Sequence, residues 1–177
     1  MGGAVAIDFA LEHPESVEAL VLVAAGLGGD STEDDQGMQR VFKEVQIAVA
    51  AGDLEQATDL ELQIWAPLRT DPEVDRRIRE VAQDNRHANT LPWKLLHRLE
   101  PPAAGRLGEI RAPTLVMVGD QDAPVMSTIT DNIANGIQDS RRYIVEGADH
   151  LPNMRKPEEF NRVVLSFLAE VPGRSSL

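Results

Sequence analysis

The chain contains no cysteine, and this absence excludes several kinds of functional site. A protein without thiols has no disulfide framework, no cysteine nucleophile and no zinc–thiolate centre. The four histidines are scattered and do not show the spacing of a metal-binding motif. We therefore expect this protein to use neither a metal ion nor an organic cofactor.

Basic residues are also few, at 17 lysines and arginines against 29 acidic residues and a net charge of -12. Nucleic acids and anionic membranes attract clustered basic side chains, so neither is an expected partner. No apolar run reaches the roughly 18 residues of a membrane-spanning helix, and the N-terminus lacks the basic region and cleavage site of a signal peptide. These features predict a cytoplasmic protein of about one domain.

Three apolar segments have the character of buried strands. They are "EALVLVAA" (18–25), "APTLVMVGD" (112–120) and "RRYIVEG" (141–147). The first two are continuous runs rich in valine and leucine, which is typical of parallel strands covered on both faces. We expect the three to pair in parallel in this order.

Helical patterns separate the strands. Residues 2–13 have apolar side chains at helical spacing up to Pro14, which disfavours helix at the residue before it. Residues 126–137 form a second helix, with Gly136 as its C-cap. A third has Pro157 in its first turn and one apolar face formed by Phe160, Val163, Val164, Phe167 and Leu168. This alternation of strand and helix predicts an α/β fold.

A long insertion lies between the first two strands, where a parallel crossover needs only about a dozen residues. Helical periodicity in 36–50, 53–65 and 72–88 predicts a small helical lid over one end of the sheet. We assign residues 28–100 to this lid and residues 1–27 and 101–177 to the core. Its tryptophans are candidates for lining a pocket, although amphipathic packing is the favoured interpretation for both Trp65 and Trp93.

Reactive side chains lie where two of the predicted strands end. Asp120 and Asp122 are at the end of strand 112–120, and Asp149 and His150 follow strand 141–147. Ligands of parallel sheets bind beyond the carboxyl ends of the strands. A carboxylate beside an imidazole there supplies two parts of a nucleophile–base–acid relay, in which the acid orients the imidazole and the imidazole takes a proton from a hydroxyl.

We assign Asp122 as the acid and His150 as the base, within hydrogen-bonding distance of each other. A lone aspartate or histidine in a loop is usually structural, but their positions at one sheet edge favour catalysis. Asp120 follows the strand immediately and is more typical of an Asx-type turn, and Asp149 is expected to face solvent. The other histidines are interpreted as helix or lid residues without a partner: His13, His87 and His97.

The sequence resembles the C-terminal portion of the α/β-hydrolases. "MGGAVAIDFALEHPESVEALVLVAA" resembles the segment after the nucleophile elbow Gly-x-Ser-x-Gly, which often continues as Ser-Met-Gly-Gly. "PTLVMVGDQDAP" resembles the strand that carries the family's acid, at Asp122. "GADHLPNMRKPEEFNRVVLSFL" resembles the histidine loop and last helix, with His150 as the base. Residues 28–100 are similar to the lid in character only.

This resemblance implies a partial α/β-hydrolase fold. The first five strands, the oxyanion loop and the nucleophilic serine would precede Met1, whose backbone nitrogen would be an oxyanion donor. No serine of this chain follows a strand at a tight turn into a helix. Gly2 and Gly3 fit a helix that approaches the nucleophile turn closely. An aspartate nucleophile, as in dehalogenase-like and epoxide-hydrolase-like relatives, is an alternative, but Met1 favours serine.

The expected function is hydrolysis of an ester, lactone or related acyl bond of a small molecule. Esterases, lactonases, C–C hydrolases and cofactor-free haloperoxidase-like enzymes all fit this expectation. The alternatives are a non-catalytic remnant or binding module of the same fold, and a split enzyme completed by another chain. Strand 18–25 would lack a neighbour on one side, and unpaired strand edges promote pairing between chains. We therefore expect the isolated chain to be poorly soluble, to form a homodimer or otherwise associate through this edge, or to be ordered only when the upstream segment is present.

Overall fold

The protein is described by a computed structural model, which covers residues 2–30, 36–90 and 99–171. The chain divides into two compact units. The first comprises Met1–Thr32 and Arg98–Leu177, and the second comprises Glu33–His97. The boundaries predicted for the insertion, at 28 and 100, lie a few residues outside those of the second unit.

Helices and strands alternate along the described part of the chain. The strands are β1 (Leu20–Val23), β2 (Thr114–Gly119) and β3 (Ser140–Val145). The α-helices are α1 (Gly2–Glu12), α2 (Gln36–Ala50), α3 (Leu54–Trp65), α4 (Pro72–Asn85), α5 (Pro124–Gly136), α6 (Pro152–Arg155) and α7 (Pro157–Glu170). Short 3-10 helices occupy Pro14–Ser16, Arg86–Thr90, Ala103–Gly105 and Leu107–Glu109. The predicted helices all form, with ends that differ by a few residues.

The first unit is built on a three-stranded parallel sheet in the order β1-β2-β3. Leu20 of β1 is paired with Thr114 of β2, and Thr114 is paired with Ser140 of β3. The predicted α/β class, parallel pairing and strand order are therefore confirmed. β1 is shorter than the apolar segment that predicted it.

Both faces of the sheet are covered by helices. All of β2 is buried, and its Leu115 and Met117 pack with Val163 and Phe167 of α7. Side chains alternate along a strand, so the intervening valines of β2 point to the opposite face. There α1 contacts β1, and α5 contacts β2 and β3. Burial of one large aliphatic side chain contributes roughly 1.5–3 kcal/mol, and this core fixes the strand ends that carry the site.

Two glycines of the first unit are explained by close packing. A Cβ on Gly136 would lie 2.6 Å from Leu107 Cδ1, so this residue admits a neighbouring side chain and is not the left-handed C-cap that the sequence suggested. A Cβ on Gly3 would lie 2.4 Å from the Cβ of Ala25, just beyond β1. Gly2 has open space around its Cβ position, so close approach explains only the second glycine of the pair.

The second unit is helical and has a small core of its own. Val45 and Ala48 of α2 pack against Ala57 of α3, and α3 contacts α4. Asp53 caps α3 by accepting a hydrogen bond from the Gln56 N–H at 2.9 Å, which satisfies a free donor of the first turn. Its position as a lid over the sheet remains a prediction.

An aromatic contact within this unit bears on the two tryptophans of the insertion. The rings of Trp65 and Phe42 lie 6.2 Å apart, measured between their centroids. This is the amphipathic packing that the sequence favoured for Trp65. Trp93 lies outside the described residues.

Within the described residues, β1 pairs with β2 only. The Leu20 and Ala24 N–H groups donate to carbonyls of the β2 segment, at Pro113 and Met117. By alternation, the N–H groups of Val21 and Val23 point away from β2. Association through this edge remains a prediction.

Among the helices that the structure describes, none combines the length and the apolar character of a membrane span.

Candidate active site

The candidate site is formed by two loops that leave adjacent strands at the same edge of the sheet. One loop connects β2 to α5 and contains Asp122, and the other connects β3 to α6 and contains His150. Because β2 and β3 are parallel and paired through Gly119 and Val145, their carboxyl ends coincide. The fold therefore brings together two side chains that lie 28 positions apart in the sequence.

The Asp122 carboxylate and the His150 imidazole are hydrogen bonded. His150 Nδ1 lies 2.9 Å from Asp122 Oδ2 and 3.1 Å from Oδ1. The side chain of Asp122 is 1% exposed, whereas that of His150 is 23% exposed. Since a carboxylate only accepts hydrogen bonds, Nδ1 carries the proton, and Nε2 is the basic nitrogen of the neutral ring. The predicted contact is confirmed, and the arrangement can accept a proton at Nε2 and stabilise the resulting charge.

Local backbone geometry fixes the orientation of the Asp122 carboxylate. The Asp122 N–H donates to the Gly119 carbonyl at 3.3 Å, which closes a tight turn after β2. The Ala123 N–H donates to Asp122 Oδ1 at 2.7 Å. Helix α5 then begins at Pro124, whose ring suits a first helical position. The carboxylate is thereby oriented before any ligand is present.

The expectation of an Asx-type turn at Asp120 was wrong, because the Asp120 carboxylate bonds to the histidine-bearing loop instead. Its Oδ1 accepts hydrogen bonds from the N–H groups of Gly147 at 2.7 Å and Ala148 at 3.3 Å. The Gln121 N–H also donates to the Ala148 carbonyl at 2.9 Å. These three bonds join the acid-bearing loop to the histidine-bearing loop, and the sequence reading did not foresee them.

The Asp120 bridge gives a pH-dependent prediction. Burial acts to raise the pKa of Asp120, but hydrogen bonds from the Gln121 side chain and from the Gly147 and Ala148 N–H groups outweigh it and hold the pKa below its ordinary 3.8. A lowered folded-state pKa stabilises the fold above pH 3.8, and that contribution is lost as the pH falls through the folded-state value. We expect Asp120→Asn to be less stable than wild type near neutral pH, with a difference that narrows in acid. Urea unfolding across this range measures it, and a constant difference would contradict the assignment.

The expectation for Asp149 was wrong. Its side chain is fully buried, and it pairs with Arg155, whose side chain is 2% exposed. A buried carboxylate needs a compensating partner, and here Arg155 Nη2 lies 2.9 Å from Asp149 Oδ2. The signal was an arginine six positions downstream, at the end of α6, but the sequence does not show that the chain folds back.

Gly119 is a second feature of the site that the sequence analysis missed. A Cβ at this position would lie 2.1 Å from the Ala148 carbonyl oxygen and 2.4 Å from that of Asp149. The end of β2 is therefore in direct backbone contact with the segment that precedes His150. Only a residue without a side chain permits this approach.

Two of the other histidines, His13 and His87, have neighbours within their own helical segments. Met1, the predicted oxyanion donor, lies outside the described residues, as does His97. The His13 ring packs against Phe9, with 4.9 Å between centroids, and His87 Nδ1 is 3.2 Å from the Asp84 carbonyl. In the part of the chain that the structure describes, no three histidine, aspartate or glutamate side chains are grouped to hold a metal ion.

Comparison with protein families decides the family. A model of the alpha/beta hydrolase fold matches residues 1–157, which is most of the chain. The chain belongs to the α/β-hydrolase fold family. Its three parallel strands and covering helices are part of that fold, and the Asp122–His150 pair lies at the carboxyl edge where such sheets bind ligands.

Similar proteins give this α/β-hydrolase a more detailed context. It is 29% identical over 184 residues to the 2-hydroxy-6-oxononadienedioate/2-hydroxy-6-oxononatrienedioate hydrolase of Paraburkholderia xenovorans, covering 96% of this chain and 60% of that protein. It is also 29% identical, with the same coverage, to the 2-hydroxy-6-oxo-6-phenylhexa-2,4-dienoate hydrolase of Comamonas testosteroni. The structure of MenH from S. aureus superposes with a TM-score of 0.71 at 20% identity, covering 95% of this chain and 65% of that one. The chain thus spans 60% of the length of these curated relatives.

Proposed function

We propose that this chain carries the acid and the base of a hydrolase that cleaves an ester, lactone or related acyl bond of a small molecule. The observation that carries the proposal is the contact of 2.9 Å between His150 Nδ1 and Asp122 Oδ2 at the carboxyl edge of the sheet. That contact leaves His150 Nε2 as the group that accepts a proton. The 23% exposure of the His150 side chain gives a route for a reacting group.

The reaction proceeds in two halves. His150 Nε2 takes the proton of a serine hydroxyl as the serine oxygen attacks the substrate carbonyl carbon, which forms a tetrahedral oxyanion. The protonated imidazole then gives that proton to the leaving group as the bond to it breaks, leaving an acyl-enzyme. A water molecule attacks the acyl carbon by the same route, returning its proton through His150 and releasing the acid. Asp122 stays ionised and holds the ring in one tautomer throughout.

The serine is proposed to lie on a segment in front of Met1, with the Met1 backbone nitrogen as an oxyanion donor. Support comes from the relatives, of which this chain covers 60%. Two of the described serines lie at the amino ends of strands, away from the carboxyl ends that carry the site, since Ser16 precedes β1 and Ser140 begins β3. Ser127 receives a hydrogen bond from Arg142 at 3.4 Å, and Ser166 is on α7.

The names of the relatives narrow the range of bonds to test. Both relatives are named for 2-hydroxy-6-oxo acids, a dienedioate or trienedioate in the first and a dienoate in the second, and hydrolysis next to a ketone carbonyl breaks a carbon–carbon bond. The substrate panel should therefore include a 6-oxo-dienoate besides simple esters and lactones. The acyl-enzyme relay described above applies directly to esters and lactones, whose leaving group is an oxygen. In a 6-oxo-dienoate the 2-hydroxy-diene must first take its 2-oxo form, so that the electron pair of the breaking carbon–carbon bond passes onto that conjugated carbonyl and the released carbon then takes a proton.

The 177-residue chain is expected not to react with a serine-directed fluorophosphonate. Such reagents require an activated hydroxyl beside a base, and the proposal places that hydroxyl outside this chain. Mass spectrometry of the treated protein measures the labelling. One fluorophosphonate adduct per chain would show that a serine among the 177 residues is activated, and would overturn the missing nucleophile.

A longer chain tests the hydrolase itself. The DNA in front of the Met1 codon is expected to encode an in-frame Gly-x-Ser, and the chain extended through that segment is expected to take up one fluorophosphonate and to turn over a member of the panel. The matched control is the extended chain with His150→Ala, which should label much more slowly. An extended chain that neither labels nor turns over substrate would favour a non-catalytic binding module of the same fold.

A further inference from the structure

The loop that carries His150 contains a buried ion pair that the proposed reaction does not use. Asp149 and Arg155 have side chains that are 0% and 2% exposed. Arg155 Nη2 lies 2.9 Å from Asp149 Oδ2, and Arg155 Nε lies 3.1 Å from the same oxygen and 3.2 Å from Oδ1. The planar guanidinium thus presents two donors to one carboxylate, which fixes the orientation of both groups.

This ion pair holds the residues on both sides of His150. Asp149 immediately precedes His150, and its Oδ1 also accepts a hydrogen bond from the Leu151 N–H at 3.3 Å. Arg155 ends α6, and its own N–H donates to the Leu151 carbonyl at 3.0 Å. The residues on both sides of His150 are therefore tied to the same carboxylate, and α6 is folded back onto them.

The other end of the same loop is held by the acid-bearing loop. Asp120 accepts hydrogen bonds from the N–H groups of Gly147 and Ala148. Residues 147 and 148, before Asp149, are therefore held by Asp120, and the residues next to His150 are held by the Asp149–Arg155 pair. If the Asp149–Arg155 contact were lost, the backbone at His150 would be held only through the residues that precede it.

The contribution of the Asp149–Arg155 pair to stability differs from its contribution to the position of the loop. A buried ion pair gains little net stability, because desolvation of both charges offsets their attraction, and its replacement by apolar side chains of similar size is often neutral. What such side chains do not supply is the directional constraint of a two-donor contact. A buried pair of this kind can therefore select one loop conformation while adding little net stability.

We propose that Asp149 and Arg155 are positioning residues that hold the His150 ring against Asp122. This inference rests on the proposed function, since it gives a purpose to the orientation of the base. It adds two residues that touch neither substrate nor nucleophile and that act through His150.

The test is an NMR measurement on the 177-residue chain. Imidazole ¹⁵N shifts report which ring nitrogen carries the proton, and the His150 signals are identified by their loss in His150→Gln. In the wild type we expect essentially all of the neutral ring to be protonated at Nδ1, as the Asp122 contact requires. In the double variant Asp149→Leu/Arg155→Met we expect a mixture of both tautomers, together with a folded amide spectrum.

A surface pair provides the matched control. Arg141 and Glu170 form an ion pair of 2.6 Å in the same unit, with side chains that are 54% and 57% exposed. The same change there, Arg141→Met/Glu170→Leu, should leave the His150 tautomer unchanged. A folded Asp149→Leu/Arg155→Met variant that keeps a single His150 tautomer would overturn the proposal.

A second variant covers the case in which the double variant does not fold. Arg155→Lys keeps the buried positive charge that compensates Asp149 but replaces the planar two-donor contact with a single ammonium group. Mixed His150 tautomers are again expected, and an unchanged single tautomer would overturn the proposal. Neither readout depends on a nucleophile or on turnover, so failure of the positioning role is distinguishable from failure of the hydrolase.

Discussion

Replacement of His150 by alanine is expected to lower the kcat of the complete hydrolase by about 10⁶-fold, the loss that removal of the base causes in such relays. Without the imidazole, no group is placed to take the proton from the serine or to return it to the leaving group. Substrate binding uses other contacts, so KM should change much less. The measurement is steady-state kinetics on the extended chain with its best substrate from the panel.

Two variants bracket this result. His13→Ala removes an exposed imidazole that packs on Phe9 before β1, and it should retain full activity. Asp122→Asn should lower kcat by about 10⁴-fold, because the amide favours the wrong tautomer of His150. A loss of less than tenfold for His150→Ala would exclude this histidine as the base.

Replacement of Gly119 by alanine is expected to lower the free energy of unfolding by about 3 kcal/mol or more, at the upper end of the cost of overpacking a well-packed site. The added methyl group would meet the Ala148 carbonyl oxygen at 2.1 Å and the Asp149 carbonyl oxygen at 2.4 Å. These are backbone atoms, held by Asp120 and Gln121 on one side and by Arg155 on the other. They cannot yield as a flexible side chain would.

Urea unfolding followed by circular dichroism measures the effect. Gly105→Ala is the matched control, because its Cβ position has no atom within 4 Å and its backbone is not left-handed. That control should change the free energy of unfolding by about 1 kcal/mol at most. Equal unfolding midpoints for Gly119→Ala and wild type would show that the two loops separate easily, and the description of the site as one packed unit would then be wrong.

The predictions for His150 and Gly119 concern the same part of the structure, where the end of β2 contacts the loop after β3. His150 is the proposed base, and Gly119 permits the close approach of the backbone segment that precedes it. Between them lie Asp120 and Asp149, two carboxylates that are held by hydrogen bonds or an arginine and that leave Asp122 to face the imidazole. Three aspartates within two loops thus have three different kinds of partner: backbone N–H groups, an arginine and an imidazole.

The sequence by itself determined the features that depend on local pattern. Continuous apolar runs predicted the parallel strands, and helical periodicity predicted helices on both sides of them and throughout the insertion. Pro14 and Pro157 marked helix boundaries because proline restricts the backbone beside it. The choice of Asp122 and His150 also followed from pattern, since parallel strands bring their carboxyl ends to one edge.

The tertiary structure alone decided the features that depend on which backbone segments touch. The sequence indicated a solvent-facing Asp149, whereas in the structure α6 folds back and places Arg155 beside it. The sequence did not single out Gly119 and suggested Gly136 as a C-cap, whereas in the structure the Ala148 carbonyl and the Leu107 side chain occupy the space that a Cβ would need. The bonds of Asp120 to Gly147 and Ala148 cross 27 and 28 positions of sequence. Local sequence patterns do not predict such contacts, because the contacts form only when the packed sheet brings distant backbone segments within hydrogen-bonding distance.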